Sequence, residues 1–245
     1  MIKKTLLLIS LALVASPLAA QDSIRIATEG AYPPFNFIDG SGEPQGFDVD
    51  IADALCAEMN ANCELVTQDW DGIIPGLLAG RYDAIIASMS ITPERQEAVA
   101  FSEPYYSNRL QFIAPADSDF MPEDAEGAVV GAQRATIAAQ WMEENVPDGS
   151  LRLYDTQENA YLDLASGRVD AILADVYVSH EWLESEAGAD FEFKGDAVFD
   201  DDKIAIAVRQ GDEALADRFS AAIQAIREDG TYQAINAEYF PFDIY

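Results

Sequence analysis

The apolar positions of the chain follow two alternating periods, one typical of buried strands and one typical of helices. Short apolar runs such as "IRIAT" (24–28) and "AIIAS" (84–88) are typical of strands covered on both faces. Between them, apolar residues recur at every fourth position, as on one face of a helix: Phe47, Ile51, Leu55 and Met59. Strand and helix patterns in this order predict an α/β fold with a mostly parallel sheet flanked by helices.

The second half of the chain repeats this order of elements, and one stretch is nearly duplicated. "AGRYDAIIAS" (79–88) and "SGRVDAILAD" (166–175) share Gly-Arg-x-Asp-Ala-Ile-x-Ala in register, 87 residues apart. A glycine is expected wherever a helix ends, so two ordinary helix–strand joints explain that identity. They explain the other shared residues poorly. The repeat therefore predicts two similar lobes.

The chain must cross between these lobes twice, because a further strand, "IAIAV" (204–208), and two helical patterns follow the second lobe. The crossings are predicted near 103–110 and near 195–203, and a few residues there would act as hinges. The predicted boundaries are lobe 1 at 21–107 and 204–245, lobe 2 at 111–199, and hinge strands at 107–111 and 199–204.

The first residues have the pattern of a secretory signal peptide. Lys3 and Lys4 precede an apolar stretch (6–18), and "PLAA" supplies small residues before Gln21. Such a segment is too short to span a membrane. We expect residues 1–20 to be cleaved near Ala20 and the mature chain to be exported.

Charge and cysteine content exclude several classes of partner. The chain has 44 Asp and Glu against 14 Lys and Arg, a formal net charge of −30, which disfavours nucleic acid and direct membrane insertion. With one histidine, His180, and no third soft ligand, a metal site is not predicted. Cys56 and Cys63, close together in an exported chain, predict a disulfide.

Polar side chains follow four of the predicted strands, at the edge where parallel sheets bind ligands. They divide into a donor group and an acid group: Ser88, Ser90, Arg95 and Thr136 against Glu29 and Asp175. Two of them have an ordinary alternative. Arg95 is equally expected on a helix surface behind the cap Thr92, and Asp175 is equally expected as a helix cap.

The segments "ATEGAYPPF", "GFDVDIADAL", "ITPER", "FSEPYY" and "REDGTYQAINAEYF" resemble the periplasmic polar-amino-acid-binding proteins of ABC importers, solute-binding protein family 3. The resemblance covers nearly the whole mature chain and is strongest to arginine- and lysine/arginine/ornithine-binding members. It implies a two-lobed periplasmic-binding-protein fold with the ligand in the cleft between lobes. It also implies a monomeric, non-enzymatic receptor without a cofactor, which delivers an L-amino acid to a membrane permease and its ATPase.

The resemblance assigns an α-amino-acid clamp. Arg95 matches the arginine that grips the ligand α-carboxylate, with the hydroxyls of Ser90 and Thr136 beside it. Asp175 matches the acid that takes the α-ammonium group, with Ser88 helping from the other lobe.

The resemblance also assigns the end of the site that holds the ligand side chain. Tyr32 and Trp70 match the aromatic residues that sandwich it, Glu29 matches the acid at its far end, and Asp48 would assist through water. A buried carboxylate is stable only beside a positive or hydrogen-donating group. We therefore expect a cationic ligand: arginine, lysine or ornithine.

Two departures from the family pattern keep other functions open. Arg134 and Ala135 precede Thr136 where many members have a glycine, and "FDDDKIAIAV" lacks the usual Phe-Gly stretch. A cation at position 134 would pair with the acidic pocket or with a second ligand carboxylate, as in an opine. The alternatives are another polar amino acid, an opine, or an enzyme related to periplasmic cyclohexadienyl dehydratases.

Overall fold

A computed structural model describes residues 23–245. The predicted signal peptide lies outside these residues. Among the described helices, none is long and apolar enough to cross a membrane.

The first series contains the predicted strands and helices, and three short strands that were not predicted precede its first helix. Its elements are β1 (Ser23–Thr28), β2 (Ala31–Tyr32), β3 (Asn36–Ile38), β4 (Pro44–Gln45), α1 (Phe47–Glu58), β5 (Asn62–Thr67), α2 (Trp70–Leu78), β6 (Ala84–Ile85), α3 (Pro93–Ala98) and β7 (Val99–Pro115).

The second series begins after a 3-10 helix at Pro122–Gly127. It comprises β8 (Val129–Gln133), α4 (Ile137–Asn145), β9 (Ser150–Tyr154), α5 (Gln157–Ala165), β10 (Ala171–Asp175), α6 (Val176–Leu183), β11 (Phe191–Arg209), α7 (Glu213–Glu228) and α8 (Thr231–Tyr239).

Eight strands form one sheet in the order β5-β1-β6-β11-β7-β10-β8-β9, and β2, β3 and β4 form a small antiparallel sheet. At one end β1 pairs in parallel with β5 and β6; at the other end β8 pairs in parallel with β9 and β10. The first strand of each series is thus central in its group. The shared strand order confirms the α/β fold and the internal repeat.

The two parallel groups are joined by the long antiparallel strands β7 and β11, which pair with each other and with β10 and β6. Their register shifts between Lys194 and Asp202 and again between Ile204 and Ala207. Irregular pairing bends a strand locally. The predicted hinge at 199–204 overlaps this irregular region; the lobe boundaries themselves remain a prediction.

Helix α1 buries the apolar face that its spacing predicted, with Phe47, Ile51 and Leu55 fully buried. Its last turn is joined to the start of β5 by a disulfide between Cys56 and Cys63, which confirms the predicted pair. A cross-link over so short a loop stabilises the fold by about 2–3 kcal/mol.

Candidate ligand-binding site

A cavity lies between the carboxyl ends of strands from both parallel groups. Eight of the nine predicted ligand-binding residues line it: Glu29, Tyr32, Trp70, Ser88, Ser90, Arg95, Thr136 and Asp175. Ala87, Gln133 and Ile137 complete the wall. The parallel topology explains this convergence, since β1, β6, β8 and β10 all end at the same edge.

The guanidinium of Arg95 points into this cavity. Helix α3 begins with Thr92 as its cap, whose Oγ1 accepts from the backbone N–H of Arg95 at 3.1 Å. The side chain donates to the carbonyl oxygens of Ser90 (2.9 Å) and Ala135 (3.0 Å), and its guanidinium carbon lies 5.3 Å from the Trp70 ring centroid. The capping interpretation and the site interpretation are therefore compatible.

The carbonyl of Ala135 joins the two sides of the cleft, because it also accepts from Trp70 Nε1 at 3.2 Å. Ala135 has a φ of +56°, in the left-handed region. This explains why a glycine suits the position: an L-residue pays about 1–2 kcal/mol there. Ser88 has a similar φ of +52°.

Thr136 is the N-cap of α4 and uses its hydroxyl locally. Its Oγ1 accepts from the backbone N–H of Ala139 at 3.3 Å and donates to the carbonyl of Gln133 at 2.7 Å. Thr136 and Ile137, the cap and the first residue of α4, both line the cavity. Such a helix start favours an anionic group.

Asp175, the last residue of β10, forms the acidic pole of the cavity. Its Oδ2 accepts from the hydroxyl of Tyr32 at 2.7 Å. Burial raises the pKa of Asp175 to about 7, and the nearby charge of Asp202 contributes to that rise, whereas the Tyr32 hydrogen bond opposes it. An ammonium group placed here would restore the ionised form.

Glu29, directly after β1, forms a second acidic point and is 9 % exposed. Its Oε1 accepts from Gln133 Nε2 at 2.6 Å. Burial raises the pKa of Glu29 to about 7, against the Gln133 hydrogen bond, and the charge of Asp69 adds to the rise. Gln133 was missed by the sequence analysis, although a polar residue ending the apolar run "VVGA" is the kind of signal used for the other strand ends.

Asp48 does not line the cavity. It is the second residue of α1, is 1 % exposed, and accepts from Asn36 Nδ2 (2.8 Å), Ser88 Oγ (2.9 Å) and Tyr105 Oη (2.6 Å). Burial raises its pKa to about 6 despite these three bonds. Asp48 therefore fixes Ser88 from behind the wall, so that the Ser88 hydroxyl is directed at Asp48.

Asp202 is a buried acid that the sequence analysis missed. Its Oδ2 accepts from Ser90 Oγ at 3.2 Å and from Asn108 Nδ2 at 3.0 Å. Within "FDDDK" it looked like part of a solvated acidic loop. Extending the alternation of β11 two residues back from Ile204 would have placed Asp202 on the inward face.

Arg134, a candidate partner for a second ligand carboxylate, is not in the cavity wall. Its Nη2 lies 2.7 Å from an Asp155 oxygen and its Nη1 lies 3.9 Å from an Asp71 oxygen. Its charge is thus directed to acids at the rim.

Comparison with known proteins gives consistent matches over the whole described chain. The L-arginine-binding protein of Pseudomonas aeruginosa is 39% identical over 255 residues, covering 99% of this chain and 98% of that protein. ABC transporter arginine-binding protein 1 of Escherichia coli is 36% identical, covering 98% of this chain and 99% of that protein. The structure of an ancestral arginine-binding protein bound to arginine superposes with a TM-score of 0.85 at 32% identity, covering 90% of this chain and 99% of that one.

The predicted two-lobed architecture and the predicted absence of enzymatic activity agree with these relatives, which are solute-binding proteins. Residues 24–242 match the model of the bacterial extracellular solute-binding proteins, family 3. The chain belongs to this family and is a binding protein, not an enzyme.

Proposed function

We propose that this protein captures an L-amino acid with a cationic side chain (arginine, lysine or ornithine) in the periplasm and delivers it to the permease of an ABC importer. The observation that carries the proposal is one cavity lined by a guanidinium, Arg95, and by two acids, Asp175 and Glu29. These charges complement the three charges of a basic amino acid. The arginine-binding relatives support the same ligand class.

The Arg95 side of the cavity suits a carboxylate. A guanidinium offers five N–H donors in a fork that matches two carboxylate oxygens, and each charge-assisted bond is worth roughly 1.5–3 kcal/mol. The start of α4 adds donors to the same region. Asp175 is then the partner of the α-ammonium group.

The Glu29 side suits a cation. Among the described residues its hydrogen-bond partner is the amide of Gln133, which is neutral and does not offset the cost of burying a charge. Tyr32 and Trp70 place aromatic rings in the same wall, and a cation over such a ring gains on the order of 1–2 kcal/mol when desolvated. A guanidinium or ammonium side chain satisfies both features.

Contacts across the cleft support a receptor that closes on its ligand. Hydrogen bonds join Tyr32 to Asp175 and Glu29 to Gln133, each linking the first series of elements to the second. Together with the bonds to the carbonyl of Ala135, they would hold the cavity shut. Opening must break them, so release to a permease has a defined structural requirement.

A thermal-shift screen of the twenty amino acids with ornithine, octopine and nopaline tests the proposal. Ligand at about 100 times its Kd adds about 2.7 kcal/mol to the stability of the folded state, which is a clear rise in Tm. Arginine, lysine or ornithine should give the largest rise. A larger rise with glutamate, or with an opine, would contradict the ligand class.

The Arg95→Ala variant should lose binding of every amino acid in titration calorimetry. The exposed Arg81 supplies a matched control, because Arg81→Ala removes the same charge away from the cavity. Wild-type affinity in Arg95→Ala would show that the carboxylate partner is misassigned.

A further inference from the structure

Asp202 is a buried acid that has no assigned role in binding the α-carboxylate or α-ammonium group of the ligand. It is 2 % exposed, and the two side chains that donate to it, Ser90 and Asn108, are neutral. Both bonds reach the same oxygen, Oδ2. An ionised carboxylate whose hydrogen-bond donors are neutral side chains is costly to bury, so burial at this position favours the protonated acid.

The hydroxyl of Ser90 has one hydrogen to donate, and two carboxylate groups would accept it. In the structure it donates to Asp202. Under the proposed function, a ligand carboxylate held by Arg95 lies against the same hydroxyl. If Asp202 stayed ionised, two carboxylates would compete for one hydrogen and repel each other.

A neutral Asp202 removes this conflict, because its O–H can donate to Ser90 Oγ while Ser90 donates onward to the ligand. The carboxyl group keeps acceptor capacity for Asn108, whose Nδ2 donates to it at 3.0 Å. An ionised carboxylate offers acceptors only and has no hydrogen to give to Ser90.

We propose that Asp202 is a positioning residue that keeps its proton in the occupied site and relays a hydrogen bond through Ser90 to the ligand carboxylate. The proposal rests on the proposed function. It divides the two neighbouring acids by role: Asp175 is ionised against the ligand ammonium, and Asp202 is neutral behind the ligand carboxylate.

The charged groups around Asp202 fit this division. Arg95 faces it from α3 and Asp175 faces it from the end of β10, while its neighbours Asp201 and Lys203 lie on the exposed face of β11. Burial raises the pKa of Asp202, against the hydrogen bonds from Asn108 and Ser90 and the attraction of Arg95. A ligand carboxylate would raise it further.

The test compares Asp202→Asn with Asp201→Asn by calorimetric titration of L-arginine between about pH 6 and about pH 8.5. Both variants lose one acid, but the Asp201 side chain is 86% exposed. Asparagine at position 202 imitates the neutral acid, since its amide donates to Ser90. Taking the ratio of the two Kd values at each pH cancels the titration of Glu29.

The Kd of Asp202→Asn divided by that of Asp201→Asn should be close to one at about pH 6. It should fall at least fivefold by about pH 8.5, because the chain with Asp202 must then take up a proton in order to bind, at a cost of a factor of ten per pH unit above its pKa. A ratio of about ten or more at every pH would mean that ionised Asp202 holds the ligand ammonium, and would overturn the proposal. A ratio that stays at one would make Asp202 purely structural, and would overturn it equally.

Wild-type protein gives a second readout that needs no variant at this position. At about pH 8, calorimetry in buffers of different ionisation enthalpy should show net proton uptake on arginine binding, since Glu29 and Asp175, with pKa values of about 7, are already ionised. Binding without uptake contradicts the assignment of Asp202 alone. Failure of wild type and Asp201→Asn to bind any amino acid is a different outcome, which overturns the proposed function.

Discussion

Preference for a cationic side chain should depend on pH through Glu29. The perturbation is a drop from about pH 8.5 to about pH 5.5, across the pKa of about 7 that burial gives this acid. The cation requires ionised Glu29. At about pH 5.5, ionising it costs roughly 1.36 kcal/mol per unit over 1.5 units, which is about 2 kcal/mol or a 30-fold loss of affinity.

The assay compares L-arginine with L-citrulline, which has the same length and shape but a neutral urea in place of the guanidinium. Both ligands present the same α-ammonium group to Asp175, so the titration of Asp175 cancels in the ratio of their Kd values. The arginine-to-citrulline preference measured by calorimetry should fall about 30-fold over this pH range.

Glu29→Gln should show a small preference that does not change with pH, while the exposed Glu64→Gln serves as the matched control and should behave as wild type. A wild-type preference that is constant with pH would refute the reasoning. So would a pH-dependent preference that survives in Glu29→Gln, because another group would then be responsible.

Three further predictions concern stability, measured by chemical denaturation of the unliganded protein. Glu29→Gln should raise the free energy of unfolding at about pH 8 by up to about 3 kcal/mol and leave it unchanged near pH 4: the folded-state pKa lies above the ordinary 4.5, so stability is lost as pH rises from there through 7. Ala135→Gly should raise the free energy of unfolding by about 1 kcal/mol, because the relief of alanine from a left-handed conformation exceeds the greater conformational entropy that glycine loses on folding. Destabilisation would mean that the methyl group of Ala135 makes stabilising contacts. Replacing Cys56 and Cys63 together by serine should lower it by about 2–3 kcal/mol, and no change would place the disulfide in a region that is not part of cooperative unfolding.

The sequence predicts the elements of this fold well because parallel strands covered on both faces leave uninterrupted apolar runs. The same logic places Glu29, Ser88 and Asp175 at one edge. What it does not show is which groups meet across the cleft. The bond between Glu29 and Gln133 spans 104 residues, and that between Ser90 and Asp202 spans 112.

Two residues show where prediction from the local sequence pattern fails. Asp202 sits in a run of acids whose composition indicates solvent, and its burial follows only from the register of a strand 19 residues long, of which five were predicted. Asp48 was assigned to the site through the family, but its three donors, which lie 12, 40 and 57 residues away along the chain, hold it behind the wall.

The central strands β7 and β11 lie side by side and are the elements that pass from one parallel group to the other. A two-stranded ribbon twists more than a wide sheet does, and irregular pairing such as that between Lys194 and Ala207 bends a strand locally. The two parallel groups are therefore expected to move relative to each other by rotation about a single hinge axis at this ribbon. The two walls of the cleft would then close along the same path on any ligand, whatever its length. Ligand selectivity would depend on the angle of rotation at which the walls come into contact.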